Sequence, residues 1–103
     1  MIHSTGYVLV PGVVVEPLGD HWAAFSPSSG ESHLINDTSA ALLEILKSNP
    51  VMRAAQACAA LAADVGLPVA YVEPLVTEAL RTFVTAGLVR VVRVAQPQGT
   101  IGP

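Results

Sequence analysis

Charged side chains are scarce in this chain, at 13% of 103 residues, while apolar ones make up 51%. Cations are scarcer still, with five Lys+Arg against eight Asp+Glu and a net charge of −3. Lys47, Arg53, Arg81, Arg90 and Arg93 form no run. Binding a phosphate backbone depends on several clustered cations, so nucleic acid is not expected as the main ligand. Cysteine occurs once, as Cys58, which excludes an internal disulfide. Within an Ala-rich segment this residue reads as a small buried hydrophobe. Aromatic residues are few, at 5%. No apolar run approaches the ~20 residues of a membrane span. Residues 1–7 lack the basic start and apolar core of a signal peptide. A cytoplasmic protein without a membrane partner is therefore expected.

What the chain does have is small apolar residues in a length suited to one domain. Such a domain can bury a core without staples. Its surplus of apolar residues points to exposed apolar surface, which usually marks a partner site. Residues 1–6 carry little pattern and read as loose. A short β-like run at 7–10 ends at Pro11 and Gly12. Residues 13–17 and 21–25 read as a hairpin about Gly19 and Asp20, with Pro17 confining its strand to an edge or an end. A loop rich in Ser follows, then a third short strand at 32–36. There Leu34 faces one side, His33 and Ile35 the other.

Asn36, Asp37 and Thr38 offer N-cap oxygens to a first helix, which ends near Asn49 and Pro50. A second helix is predicted over 51–65, apolar nearly all round, with Gly66 as its stop. A third is predicted over 71–86, its stripe formed by Val72, Val76, Ala79, Leu80 and Phe83. Pro74 fits that helix if it lies in the first turn. Residues 88–94 are again β-like. The fold expected is α+β, a winged helix-turn-helix. It comprises a small antiparallel sheet of about three strands, three helices and a short terminal strand. The domain covers 1–94, and 95–103 reads as a disordered tail.

Nothing in the chain forms a catalytic or metal-binding pattern, and neither an enzyme nor a cofactor is expected. His3, His21 and His33 lack the i, i+4 spacing of a helical metal site and have no Cys pair beside them. Cys58 has no electropositive neighbour to activate it. Ser28, Ser29 and Gly30 lack the Lys of a phosphate loop. Asp20, Glu31 and Asp37 serve as turn or cap residues. Trp22, the single Trp, suits packing better than partner anchoring.

Two features suit peptide capture. Ser32, His33, Leu34, Ile35 and Asn36 form a short strand whose unpaired backbone groups could accept another chain. The same pattern also fits an interior strand paired on both sides. On the third helix, Leu75, Ala79 and Thr82 share a face at i, i+4 and i+7, with Glu78 beside them. That face either lines a groove or packs in the core.

These residues resemble a known family. The carriers are Pro11 and Gly12, Leu18 to Asp20, the stretch 27–36, the Leu-rich helix 41–46, and Ala79, Leu80, Phe83, Gly87, Leu88 and Val89. Over roughly 7–92 the chain resembles the PqqD-like family, or RiPP recognition elements. It looks closest to the branch found with HPr-kinase-related proteins. The resemblance implies a three-stranded sheet followed by three helices. It implies a peptide chaperone that binds the leader of a precursor peptide and presents it to a modifying enzyme. The leader would add as a strand beside the third strand, in a groove lined by the third helix. One departure stands out: where many members carry an acid at the start of that helix, this chain has Leu75, and its nearest acid is Glu73. The alternatives are a winged-helix nucleic-acid binder, or a structural subunit that homodimerises through helix two.

Overall fold

The computed structural model describes residues 3–95. Its elements run β1 (His3–Leu9), β2 (Val14–Leu18), β3 (His21–Ser26), β4 (Glu31–Ile35), α1 (Asp37–Lys47), α2 (Ala54–Val65), α3 (Val69–Thr85) and β5 (Val89–Ala95). The architecture is α+β, with two small antiparallel sheets and three helices.

The hairpin expected from Gly19 and Asp20 is β2–β3. Gly19 adopts φ +62, a conformation most side chains avoid, and Leu18 pairs with His21 across the turn. β4 returns along the other side of β3, pairing Trp22 with Ile35 and Ser26 with Glu31. The sheet order is therefore β2-β3-β4. Side chains alternate across it. Ala24 and Ile35 turn to the core, while Val14, Phe25 and Leu34 stay exposed on the opposite face.

Three sequence expectations need correction. Residues 3–6 are not loose: β1 pairs along its whole length with β5, from His3 opposite Ala95 to Leu9 opposite Val89. The strands thus number four before the helices, and the terminal strand is half of a separate two-stranded ribbon. Residues 3–6 lack apolar alternation, so their strand state comes from the β-branched partner in β5 and not from their own pattern. Gly6 is required there, because a Cβ would lie 2.6 Å from Val94 and 2.7 Å from Val51.

The second correction is at α2, which begins at Ala54 and not at Val51. Met52 is extended instead: it exchanges two backbone bonds with Tyr7, at 2.7 and 3.1 Å. This bridge outcompetes an extra helical turn and covers part of the open side of β1. At the other end Gly66 closes the helix as expected, in the left-handed region at φ +73. The third correction is at α3, which starts at Val69 after Pro68, so Pro74 lies beyond the first turn. It offers no N–H to the carbonyl of Ala70. Ala70 is exposed, so water can satisfy that carbonyl, which explains why the proline is tolerated.

One core joins all these pieces. Leu42 and Leu43 of α1, Leu61 of α2, Val76 and Phe83 of α3, and Leu88 and Val89 at the start of β5 are almost fully buried. Ser26 is the buried polar exception; its Oγ donates to the Gly87 carbonyl at 3.1 Å. Ser28 Oγ donates to the same oxygen at 3.1 Å, which pins the β3–β4 loop to the α3–β5 corner. Within the expected tail, Ala95 closes β5, and residues 96–103 lie outside the described residues.

Candidate functional site

Four strand edges exist in two small sheets, and they are not equivalent. The outer edge of β1 is covered in part by Met52. That of β2 contains Pro17, which has no N–H to offer. β4 pairs with β3 alone, and β5 with β1 alone, among the described residues. Neither contains proline. An edge of this kind presents alternate N–H and C=O groups to any incoming strand.

Beside the β4 edge runs a groove of about 330 Å³. Leu34, Ile35 and Asn36 meet Leu75, Glu78, Ala79 and Thr82 across it, and Phe83 joins them. Other surface hollows have comparable volumes, from about 290 to 470 Å³, so size does not single this one out. What distinguishes it is that consecutive residues of an unpaired strand, Leu34 and Ile35, line one wall with Asn36 directly after them, whereas the hollow beside α3 at β5 takes Val91 alone from its strand. The α3 wall is open: Leu75 is 47% exposed and Thr82 is exposed, as expected if this helix face lines a groove and does not enter the core. Ala79 is half-buried, which keeps that wall low at its centre.

The individual site residues behave differently. Leu34 is 63% exposed at the rim. Ser32 is exposed and His33 half-buried, but neither lines the groove. His33 Nε2 is buried without a hydrogen-bond partner among the described residues. Ile35 is buried and belongs to the core as much as to the groove. Asn36 spends its side-chain oxygen as the α1 cap, accepting from Ser39 N at 2.8 Å. It can therefore offer a ligand only its amide and backbone. Glu78, the groove's one carboxylate, pairs with Arg81 at 3.3 Å on an exposed turn. Such exposed pairs contribute little, and a ligand cation at this exposed carboxylate would gain equally little.

The sequence reading missed Thr38, Ser39 and Phe83 as groove residues. Phe83 was visible as part of the apolar stripe, and it backs the groove from within the core. Thr38 and Ser39 form the first turn of α1, directly after Asn36. A helix start following the candidate strand was the available signal.

No group of three His, Cys, Asp or Glu residues that could hold a metal forms among the described residues. Burial, and secondarily the carboxylate of Glu73, push the Cys58 thiol up from its ordinary pKa, away from the nucleophilic thiolate. Trp22 donates its indole N–H to Asp37 at 2.7 Å, tying β3 to the start of α1. No single helix is long and apolar enough to cross a membrane among the described residues. Compared with known proteins, the chain matches no family model, no curated protein and no solved structure.

Proposed function

We propose that this domain is a non-enzymatic adaptor that captures an extended peptide by strand addition at β4, beside α3. One observation carries the reading: an unpaired, proline-free strand edge forms one wall of a groove whose other wall is the open face of a helix. Backbone bonds to β4 supply affinity independent of sequence. Leu34, Leu75 and Ala79 supply apolar choice of side chain. The 119° bend between α2 and α3 suits a helix-turn-helix, and the β1–β5 ribbon after α3 takes the place of a wing. The resemblance to PqqD-like proteins points the same way. In that reading the ligand is the leader of a precursor peptide, handed to a modifying enzyme in the cytoplasm. Leu75 in place of an acid, with Glu78 exposed to solvent, favours leaders held by apolar contacts over leaders held by a basic residue.

The competing readings have less support. A nucleic-acid binder needs a basic recognition helix, whereas α3 carries Arg81 against Glu73 and Glu78. Dimerisation through α2 needs exposed apolar area. The exposed apolar residues of that helix are Ala55, Ala59 and Ala63, which have little to bury, and Val65 at its very end.

The test uses exposed groove residues, because changes at buried Ile35 would report on folding instead. Thr82→Arg should leave thermal unfolding unchanged and obstruct the groove. Binding of short synthetic peptides with alternating apolar residues should weaken about 10-fold or more, or roughly 1.4 kcal/mol. The amide signals of β4 should shift on titration in the parent chain. Equal affinity in the variant, or shifts confined to other elements, would remove the site from this groove.

A further inference from the structure

The second open edge, that of β5, is electrostatically opposite to the first. β5 carries Arg90 and Arg93, both exposed, and no acid. Its partner β1 has no Asp or Glu either. Neither arginine takes part in an ion pair among the described residues. By contrast β4 begins with Glu31, β2 carries Glu16, and the sheet β2-β3-β4 contains no Lys or Arg. The positive charge of this acidic chain is thus displaced towards the ribbon. Over the face of the ribbon that turns to α3 lies a groove of about 340 Å³, formed by the paired Tyr7 and Val91 with Leu80 and Val84 of α3. Val91 is 51% exposed there.

From this geometry we infer that β5 is a second docking edge, and that its occupant is an acidic extended segment of a partner protein. Charge decides between possible occupants. A second copy pairing β5 with β5 would bring four arginines into one sheet with no carboxylate to offset them, and like charges across strands destabilise. The chain's own residues 96–103 contain no Asp or Glu, so they offer no complement. An acidic strand gains cross-strand ion pairs in addition to backbone bonds.

The spacing makes the inference specific. Side chains alternate along a strand, so Arg90 and Arg93, three positions apart, project from opposite faces of the ribbon. Arg93 shares its face with Val91, towards α3, and Arg90 shares its face with Val92. Residues directly opposite the two arginines are also three apart, whichever way the incoming strand runs. The complementary pattern is an acid, two apolar residues and an acid, with one apolar side chain over Val91 and the other over Val92. Acids two apart would lie on one face and could satisfy one arginine only.

The test compares three synthetic strand-forming peptides of equal length by fluorescence anisotropy against the full chain. The first has the acid, apolar, apolar, acid pattern. The second has the same composition with its acids two apart, and the third has Lys in place of the acids. The first should bind about 10-fold more tightly than either other, and should weaken as salt rises. It should shift the amides of β5 and leave those of β4 unmoved. Arg90→Glu with Arg93→Glu should transfer the preference to the Lys peptide, and each single change to Gln should lose part of the affinity. Equal binding of the first two peptides would overturn the inference. So would no saturation by about 1 mM, shifts at β4 alone, or an oligomer of the free chain that excludes the peptide.

Discussion

Gly87 shows how one position can hold two elements together. It sits between α3 and β5 at φ +78, and its carbonyl accepts from both Ser26 and Ser28. A Cβ there would stand 2.9 Å from Ser26 Oγ. Gly87→Ala should therefore combine left-handed strain of roughly 1–2 kcal/mol with the loss of about one buried hydrogen bond. A total loss on the order of 2–3 kcal/mol is expected in urea unfolding. In a Ser26→Ala background the steric share disappears, so the same change should cost less; equal costs would show that the contact is unimportant. Cys58 contributes in a different way. Its thiol pKa is raised in the folded chain, chiefly by burial and then by Glu73. The folded state therefore favours the neutral form. That contribution is complete below the ordinary thiol value of about 8.5 and fades as pH rises through the raised folded value. Urea midpoints measured from neutral to alkaline pH should fall less steeply for Cys58→Ala than for the parent. Parallel profiles would mean that the thiol ionises as freely in the fold as out of it.

At the scale of elements, legibility in the sequence followed the locality of the cause. Gly66 ended α2 where a left-handed cap was expected, and Asn36 capped α1 through Ser39, because both effects act within one turn. The β2–β3 hairpin was legible for the same reason, through Gly19. Two of the errors came from distant partners, and the third from solvent exposure at one turn of α3. Tyr7 drew Met52 out of the predicted start of α2. β5 drew residues 3–6 into a strand that their own side chains do not specify. Solvent at Ala70 let α3 accept Pro74 beyond its first turn. The candidate site divides in the same way. The α3 face of Leu75, Ala79 and Thr82 follows from helical spacing, and these residues lie along the groove. That β4 would lie at an edge could not be read from Ser32 to Asn36, because edge and interior strands share one pattern when they are this short. Ile35 shows the cost of that ambiguity, since it serves the core and the groove together.

For the molecule as a whole, the core and the ribbon should differ in how they open. Burial is concentrated where α1, α2 and α3 meet one another and close over β3 and the adjoining parts of β1 and β5, with Leu42, Leu61 and Val76 wholly enclosed. The ribbon joins that core at its Val89 end, and past Val89 the described side chains of β5 are exposed or half-buried. Towards Thr5 and Arg93 the ladder is held mainly by its own backbone bonds, with Val51 against Gly6 as a further contact. A two-stranded ribbon is marginal in water without a packed face. Local opening of its far end therefore exposes little apolar surface and needs far less free energy than global unfolding. Native-state hydrogen exchange should find the slowest amides at the buried turns of α1 and α3, around Leu43 and Leu80. Amides around Thr5 and Arg93 should exchange about 100-fold faster or more, with little dependence on added urea. Protection of those ribbon amides equal to that of Leu43 would mean that the ribbon unfolds only with the core. The free edge of β5 would then be as rigid as β4, contrary to the division between core and ribbon drawn from burial.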